Sequence, residues 1–379
     1  MLSAVNKTSD RIISYLLTPL SWIYGAVTDV RNKLYDWHLL PSESFDVPVI
    51  CVGNITIGGT GKTPHVEYLI EYLSASYNIG VLSRGYKRKT KGFVLGTSKS
   101  TPSTIGDEPY QILSKYGNRV RLAVCESRRK GIRELLNIDP DINLILLDDA
   151  FQHRAVKAKV NILLMDYSRP IYSDHVLPLG RLRENRRAVG RADIVVVTKV
   201  PDEATPIQFR LFSNNLDLWA YQKLFFSKTV YDAPAAVFRE GDKYDVNLDD
   251  LTRNDIVMLL TGIANPRPLV RFFKQFDCRV VVNHFADHHD FTRADLHKMM
   301  EKFSAMKGAR KLIITTEKDA VRLANNPYFP EKLKPVIYYM PISVEMLRGL
   351  DDSNFIHTVK RAIEDKSDRL GEKESVTQE

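Results

Sequence analysis

The stretch Gly58–Thr63 constrains the fold of this chain more than any other part of the sequence. It reads Gly-Gly-Thr-Gly-Lys-Thr, follows the short apolar run Val47–Val52, and precedes a helical pattern that continues to Ser76. Glycines let the backbone wrap closely around phosphate oxygens, and the N-terminus of the following helix supplies free N–H groups and a partial positive charge. The order of strand, glycine loop and helix therefore predicts a phosphate-binding loop in an α/β protein.

Within this loop we assign phosphate binding to six consecutive residues: Gly58, Gly59, Thr60, Gly61, Lys62 and Thr63. Lys62 is expected to reach the β- and γ-phosphates of a nucleotide, and the hydroxyl of Thr63 to ligate Mg²⁺. The fit to GxxxxGK[ST] is imperfect, because Thr56 occupies the first glycine position. The loop instead resembles KGGxGK[ST], the variant of the SIMIBI branch of P-loop proteins, although Ile57 replaces the leading lysine. A chance Lys-Thr after a glycine turn is the alternative, which the strand–loop–helix context disfavours.

Short apolar runs recur along the chain and alternate with helical patterns. This arrangement is typical of a mostly parallel sheet covered by helices on both faces. The runs in the first part of the chain are Val47–Val52, Ile79–Ser83, Asn143–Leu147, Asn161–Met165 and Ile194–Val197. Since ligands of such sheets bind at the carboxyl ends of the strands, motifs that follow these runs are expected to meet in one crevice. We predict an α/β, P-loop NTPase-like fold of the SIMIBI type.

The length of 379 residues predicts about two domains. The periodicity weakens around Tyr231–Asn254, where turn-forming and charged residues accumulate, and a second α/β pattern follows. That pattern consists of Val257–Leu260, Pro268–Gln275, Cys278–Asn283, Arg293–Phe303 and Lys311–Thr315. We therefore predict an N-terminal helical segment (1–40), a P-loop domain (41–235), a smaller C-terminal α/β domain (236–365) and a charged, disordered tail (366–379).

Two pairs of acidic residues are candidates for the chemistry of phosphate transfer. Asp148 and Asp149 follow an apolar strand, where a carboxylate can hold Mg²⁺ directly or through water; a solvated turn is the alternative. Asp107 and Glu108 precede a helical pattern. Asp107 is suited either to accept a proton from an attacking hydroxyl or to cap the helix, and spacing alone favours the cap.

The nucleotide is expected to be ATP. Thr198–Asp202 comes close to the guanine-reading pattern [NT]KxD, but its aspartate stands one position too late.

The N-terminal segment Ile12–Thr28 carries no charge and follows Lys7 and Arg11, so a signal peptide or membrane anchor is one interpretation. Pro19 and the marginal length argue against it, since a bilayer span takes roughly 20 apolar residues. A helix would place polar and small side chains on one stripe and apolar ones on another. The stripes are Ser14, Thr18, Ser21, Gly25 and Thr28, against Ile12, Leu16, Leu20, Ile23 and Val27. A helix on a membrane surface and a helix packed into the core remain open alternatives.

The net charge of +8 is compatible with nucleic acid, anionic lipid headgroups or a phosphorylated substrate as partner. The three cysteines, Cys51, Cys125 and Cys278, form no CxxC pair. They predict neither a disulfide framework nor a structural zinc site, and they suit a reducing compartment. A dense basic run comprises Arg181, Arg183, Arg186, Arg187 and Arg191. Arginine binds phosphate with two parallel hydrogen bonds, so part of this run is a candidate phosphate contact, and the alternative is a solvated loop.

Taken together, these stretches resemble the tetraacyldisaccharide 4'-kinase (lipid A 4'-kinase) family. The matching motifs run in family order from residue 17 to residue 323. They are LTPLSWIYG (Leu17–Gly25), VGNITIGGTGKTP (Val52–Pro64), SRGY (Ser83–Tyr86), GDEP (Gly106–Pro109), LDDAFQHR (Leu147–Arg154), LPLGRLRE (Leu177–Glu184), VVTK (Val196–Lys199), GIANP (Gly262–Pro266), FADHHDFT (Phe285–Thr292) and TTEKDAVRL (Thr315–Leu323).

The resemblance implies residue roles that spacing alone does not. It implies a catalytic dyad of Asp107 and His288, with His289 as the less favoured choice. A zinc cluster of His284, His288 and His289 is disfavoured, because no cysteine lies nearby. It implies Mg²⁺-associated oxygens at Thr63, Asp148, Asp149, Glu184 and Glu108, and substrate contacts at Arg84, His153, Arg181 and Arg183.

The resemblance also implies an activity and a location. A member of this family would transfer the γ-phosphate of ATP to the 4' hydroxyl of tetraacyldisaccharide 1-phosphate, with Mg²⁺, and form lipid IVA in lipid A synthesis. We expect a peripheral or monotopic monomer at the cytoplasmic face of the bacterial inner membrane, without a nucleic-acid partner. The rival hypotheses are a nucleotide switch or metallochaperone of the SIMIBI type, which would hydrolyse nucleotide to change partners, and a nucleic-acid-binding ATPase.

Overall fold

The computed structural model describes residues 2–238, 246–263, 265–287, 289–347 and 354–365. Within these ranges the chain forms a nine-stranded sheet and a five-stranded sheet. The strands, in chain order, are β1 (Val49–Gly53), β2 (Ile79–Ser83), β3 (Val94–Leu95), β4 (Val120–Val124), β5 (Leu144–Asp148), β6 (Val160–Asp166), β7 (Ile194–Thr198), β8 (Lys223–Tyr231), β9 (Ala235–Ala236), β10 (Ile256–Thr261), β11 (Arg279–His284), β12 (Lys311–Thr316), β13 (Ile337–Met340) and β14 (Ile342–Leu347).

Helices connect most of these strands. They are α1 (Leu2–Asp36), α2 (Lys62–Leu73), α3 (Pro102–Ile105), α4 (Asp107–Tyr116), α5 (Arg128–Ile138), α6 (Pro206–Leu216), α7 (Arg267–Phe273), α8 (Arg293–Ala305), α9 (Glu317–Ala324) and α10 (Phe355–Glu364). Every predicted strand is confirmed, with bounds that differ by at most two residues.

The larger sheet has the order β14-β8-β7-β6-β1-β5-β2-β4-β3, and only its edge strands β14 and β3 run antiparallel to their neighbours. Successive residues of β1 enter opposite cores: Val49 and Cys51 pack on one face with α5 and α6, and Ile50 and Val52 pack on the other with α2 and α10. Because both faces are covered, the central strands are mostly apolar. The predicted α/β architecture is confirmed.

The smaller sheet has the order β11-β10-β12-β13-β9 and is parallel except for β9. It too is covered on both faces, by α7 on one side and by α8 and α9 on the other. After Pro341 the chain returns to the larger sheet, where β14 pairs with β8 and the side chain of Phe355 packs against Phe225. The division into domains of 41–235 and 236–365 stays a prediction, but β14 adds an edge strand to the larger sheet, and the apolar side chains Phe355, Val359 and Ile363 of α10 are buried against that sheet.

Helix α1 packs its small and polar stripe against the protein. Ser21 is buried and its hydroxyl donates a hydrogen bond of 2.6 Å to the carbonyl of Val176, whose side chain also lies against Gly25. The apolar stripe faces outward, so the interpretation of a helix that buries its apolar face in the core was wrong for the part of α1 whose side chains are described. Among the described residues, no helix has the length and apolarity needed to cross a bilayer.

Candidate active site

The glycine loop joins β1 to α2 at the carboxyl edge of the larger sheet. Gly58 has a φ of 120° and Gly61, which precedes α2, has a φ of 83°. These are conformations that side chains with a Cβ rarely adopt, so the backbone path of the loop depends on glycine at both positions. The N-terminus of α2 begins at Lys62 and therefore points its free N–H groups toward the space that the loop encloses.

Side chains at the ends of neighbouring strands hydrogen-bond to the loop. The amide of Asn54 donates to the hydroxyl of Thr60 at 2.8 Å, and the hydroxyl of Thr198, at the end of β7, donates to the Thr60 carbonyl at 2.9 Å. Lys199 donates to the Gly59 carbonyl and pairs with Asp166 at 2.8 Å. The stretch that comes close to a guanine-reading motif thus braces the phosphate loop through Thr198 and Lys199.

A buried histidine fixes the first turn of α2. The Nδ1 of His65 lies 2.7 Å from the Gly61 carbonyl and its Nε2 lies 2.9 Å from the hydroxyl of Ser227, on β8. Burial lowers the pKa of His65 to about 4, so the ring is neutral near pH 7. Its Nδ1–H then donates to Gly61, and its Nε2 accepts from Ser227. The ring therefore ties the end of the loop to the sheet.

The carboxylate of Asp149 lies between two cations of the site. Lys62 Nζ is 3.6 Å and Arg183 Nη1 is 3.2 Å from its Oδ1. Burial opposes its ionisation, but Lys62 and Arg183 hold the pKa of Asp149 below its usual value. Its backbone has a left-handed φ of 47°, which is uncommon outside glycine and is found in tightly constrained positions such as active sites. Asp149 therefore positions the lysine of the phosphate loop.

Asp148 ends β5 beside β1, in register with Val52. Its side chain is buried, and Oδ1 has no hydrogen-bond partner among the described residues. Burial, together with the negative charges of Glu108 and Asp149, raises the pKa of Asp148 to about 7. A buried carboxylate oxygen without a partner is costly unless a cation or proton compensates it. The donor set therefore fits a hard divalent cation.

The described residues contain no group of three His, Cys, Asp or Glu side chains that could hold a metal ion by themselves. This agrees with the way Mg²⁺ binds in nucleotide sites, where one or two carboxylates are supplemented by phosphate oxygens and water. Asp148 and Thr63 fit such a partial ligand set.

Asp107 and Glu108 begin α4, and both contact helix α9 of the smaller sheet. Arg322 Nε donates to Asp107 Oδ2 at 3.0 Å, and Lys318 Nζ lies 3.2 Å from Glu108 Oε1. Gly106 occupies the N-cap position of α4, and Asp107 and Glu108 stand in its first turn. Asp107 is therefore not the N-cap residue that spacing favours, and its carboxylate contacts Arg322 of α9. His288, the predicted partner of Asp107, lies outside the described residues.

Glu184 is buried beside α1. Its Oε2 accepts from Asn32 at 2.8 Å and lies 2.8 Å from Arg191, while its Oε1 has no hydrogen-bond partner in the described part of the chain. These contacts attach the segment around residue 184 to the N-terminal helix. The assignment of Glu184 as a metal ligand stays a prediction.

The predicted substrate residues fall into two groups. His153 and Arg84 lie near Asp149: burial, Arg128 and Arg84 lower the pKa of His153 to about 4, so its ring is neutral and can donate one hydrogen bond. Arg181 instead lines a surface cavity of about 500 Å³ that adjoins the phosphate loop. Its carbonyl accepts from the Ile57 N–H at 2.8 Å.

The sequence analysis missed Arg128. This side chain is buried and donates to the carbonyls of Cys125, at 2.7 Å, and Asp148, at 3.2 Å. Its charge opposes the rise in the pKa of Asp148 and helps to lower the pKa of Asp149. The available signal was the basic run Arg128–Lys130, which follows the apolar residues Leu122–Cys125 after two polar positions.

His289 of the FADHHDFT stretch and His284, which directly precedes the stretch, are described. His284 Nδ1 lies 3.2 Å from the hydroxyl of Thr261, and His289 Nε2 lies 3.0 Å from Asp295 Oδ2. His289 also stacks on Phe285 with ring centroids 4.7 Å apart. Both are thus engaged within the smaller sheet and its loops.

The chain matches known proteins over most of its length. A model of the tetraacyldisaccharide-1-P 4'-kinase family matches residues 13–364. The tetraacyldisaccharide 4'-kinase of Bacteroides thetaiotaomicron is 48% identical over 350 residues, covering 90% of this chain and 92% of that protein. The Phocaeicola vulgatus enzyme of the same name is 45% identical over 354 residues, covering 92% and 96%. The crystal structure of LpxK from Aquifex aeolicus in complex with ATP superimposes with a TM-score of 0.69 at 26% identity, over 93% of this chain and 99% of that one.

Proposed function

Because the chain belongs to the tetraacyldisaccharide-1-P 4'-kinase family, we propose that its phosphate loop, Asp148 and Asp107 act together on one ATP molecule and one lipid hydroxyl. The enzyme transfers the γ-phosphate of ATP to the 4' hydroxyl of tetraacyldisaccharide 1-phosphate, which yields lipid IVA in lipid A synthesis. The observation that carries the residue assignments is the grouping of Lys62, Asp148 and Asp149 at the end of the loop.

In the proposed mechanism the loop N–H groups and Lys62 hold the β- and γ-phosphates at the start of α2. Thr63 and Asp148 would hold Mg²⁺, with Asp149 and Glu108 close by; when bound, this ion neutralises charge on the phosphates. Asp107, aided by His288, accepts the proton of the 4' hydroxyl. The hydroxyl oxygen forms a bond to the γ-phosphorus in line with the departing β–γ bridging oxygen, and ADP leaves.

Residues of the smaller sheet complete the proposed site. Support comes from the pairing of Arg322 with Asp107 and of Lys318 with Glu108. Both cations lie on α9, so this helix is anchored to the residues that we assign to proton transfer and to the metal. We propose that the smaller sheet closes over the nucleotide through this contact.

Arg84, His153 and Arg183 are proposed to bind the sugar and phosphate groups of the lipid, with Arg128 supplying positive charge beneath them. Support comes from their shared position around Asp149. Arg181 is proposed to contact the substrate from the side of the 500 Å³ cavity.

Helix α1 is proposed to lie on the membrane surface. Its outward stripe comprises Leu20, Ile23, Val27 and Val30, which are 54%, 62%, 63% and 57% exposed, and Trp22 is 72% exposed. Large apolar side chains that face solvent while small ones face the protein suit burial in lipid. The same helix contacts the active-site segments: Tyr24 donates to the Arg183 carbonyl at 3.1 Å, and Arg31 donates to the Gln152 carbonyl at 2.9 Å. The site would therefore lie beside the membrane that carries its substrate.

We further propose that the protein works as a monomer at the cytoplasmic face of the bacterial inner membrane, where ATP is available. A single chain carries the phosphate loop and the carboxylates that we assign to the reaction. The net charge of +8 suits anionic headgroups and phosphorylated substrates, so no nucleic-acid partner is proposed.

The membrane proposal predicts a large effect of two substitutions on α1. Ile23→Gln combined with Val27→Gln should weaken binding to vesicles that contain anionic phospholipid by at least about tenfold, since each buried apolar side chain contributes about 1.5–3 kcal/mol. Binding is measured by vesicle sedimentation. The matched control is Ile207→Gln with Leu211→Gln on α6, where the side chains are 70% and 52% exposed. Equal binding by both double variants would contradict the assignment of α1.

The reaction itself is tested with purified protein, ATP, Mg²⁺ and tetraacyldisaccharide 1-phosphate in detergent. We expect radiolabelled γ-phosphate to appear on the lipid, and we expect chelation of divalent cations to abolish transfer. Phosphate release to water alone would favour the nucleotide-switch hypothesis. Undiminished transfer after chelation would overturn the Mg²⁺ assignments of Thr63 and Asp148.

A further inference from the structure

A closed ring of four polar side chains lies between three helices, away from the phosphate loop. Lys115 Nζ is 2.8 Å from Glu67 Oε2 and 2.5 Å from Glu317 Oε1. Gln111 Nε2 donates to Glu67 Oε1 at 2.8 Å and to Glu317 Oε2 at 3.1 Å. All four carboxylate oxygens are therefore engaged, each carboxylate by one lysine contact and one amide hydrogen bond.

The ring is largely removed from water. Glu67, Gln111 and Glu317 are buried, and Lys115 is partly buried. Burial raises the pKa of both carboxyl groups, that of Glu317 to about 7, while Lys115 lowers both. Burial also opposes the charge of Lys115, but the two carboxylates raise its pKa overall. Breaking a buried ion pair costs more than forming it contributes, because an uncompensated charge is left behind. The ring is therefore a stiff connection.

The three helices that meet at the ring carry the residues assigned to the reaction. Glu67 lies on α2, which begins at Lys62. Gln111 and Lys115 lie on α4, which begins at Asp107. Glu317 is the first residue of α9, whose Lys318 and Arg322 contact Glu108 and Asp107.

We propose that Glu67, Gln111, Lys115 and Glu317 are positioning residues, which fix the separation between Lys62 and Asp107 and couple it to the placement of helix α9. The ring touches none of the groups assigned to substrate or metal, and it acts through the helices that bear them. The inference rests on the proposed roles of Lys62 and Asp107.

The physical basis is the rigidity of short helices. Lys62 and Glu67 lie on one helix, and Asp107 and Gln111 on another, about one turn of helix apart in each case. A shift of either helix at the ring is therefore transmitted to its N-terminus. A displacement of about 1 Å between a base and a reacting phosphate can lower a rate roughly 100-fold, whereas nucleotide binding at the loop tolerates it.

The test uses Lys115→Met, which removes the cation from the ring and keeps a long side chain. We expect kcat for lipid phosphorylation to fall roughly 10–100-fold, with ATP affinity within about threefold of the wild-type value. Lys115→Arg, which retains charge and several donors, should recover most of the lost kcat. Arg310→Met is the matched control: it breaks an ion pair of 3.4 Å with the buried Asp255 inside the smaller sheet and should lower the melting temperature without lowering kcat.

A double-mutant comparison separates positioning from simple loss of stability. If the ring acts through Asp107, Lys115→Met should cause little further loss of kcat in an Asp107→Asn background. An equal loss in both backgrounds, or a kcat of Lys115→Met within about twofold of the wild-type value, would overturn the inference. Near-normal turnover of Asp107→Asn alone would instead overturn the proposed base. Should Lys115→Met fail to fold, Gln111→Leu, which removes only the two amide hydrogen bonds, is judged by the same comparison.

Discussion

In the Asp107→Asn variant we expect kcat for lipid phosphorylation to fall by about 10²–10⁴-fold, the usual range for loss of a general base. Asparagine has nearly the same shape and can still accept from Arg322, but it cannot take a proton at neutral pH. Affinity for ATP should stay within about threefold of the wild-type value, because binding energy comes from the loop and Lys62. Single-turnover phosphorylation and nucleotide titration measure the two quantities separately.

The contact between Asp107 and Arg322 makes a control necessary. A loss of activity in Asp107→Asn could also arise from a weakened connection to α9 rather than from the loss of a base. Arg322→Gln weakens the same connection and leaves the carboxylate in place. We expect Arg322→Gln to retain far more activity than Asp107→Asn. Equal losses in the two variants would mean that Asp107 acts only by holding α9.

The Lys62→Ala variant should lose about 10³-fold or more in kcat/KM for ATP-dependent lipid phosphorylation. Lys62 is the cation placed to stabilise the negative charge that develops on the departing phosphates. Its removal also takes away one of the two ion pairs of Asp149 among the described residues and leaves the pair with Arg183. We expect losses in both kcat and ATP affinity, since the lysine contacts phosphate in the ground state and in the transition state. Steady-state kinetics over a range of ATP concentrations measure both.

The control for Lys62→Ala removes the same charge elsewhere. Lys157 is exposed and lies between the active-site segment and β6. Lys157→Ala should keep wild-type kinetics. Retention of near-normal kcat/KM by Lys62→Ala would show that the nucleotide phosphates bind away from the start of α2.

The sequence predicts the fold well where the signal is local. Every strand that we expected exists, because runs such as Ile79–Ser83 are largely apolar and are buried on both faces. The two pairs β8–β14 and β13–β9 were not predicted, because antiparallel pairing between Tyr231 and Ile342 is decided by contacts far apart in sequence. The bounds of the predicted domains depended on local periodicity alone, and the return of β14 and α10 to the larger sheet has no local signal.

The candidate site, like the fold, was predictable where its sequence signal is local. The loop and Asp148 were predictable, because glycines before a helix and a carboxylate after a strand have a local physical meaning. Arg128 and Lys199 were not assigned their observed roles, since only the folded chain shows that they lie beneath Asp148 and against Gly59. The two stripes of α1 were predictable from the sequence. Their orientation was not, because only packing decides which stripe the protein covers.

The pairing of β8 with β14 bears on how the protein acquires its shape during synthesis. The segment that forms the smaller sheet is inserted in sequence between strands β8 and β14 of the larger sheet. The two ends of this segment lie side by side, where the Asp232 N–H donates to the Pro341 carbonyl at 3.0 Å. A ribosome therefore releases the whole smaller sheet before the edge strand β14 and helix α10 emerge. Until then the core of the larger sheet lacks the side chain of Phe355, which packs against Tyr68 and Phe225. The larger sheet, whose strands β1–β8 are translated first, is therefore completed only after the smaller sheet has been synthesised.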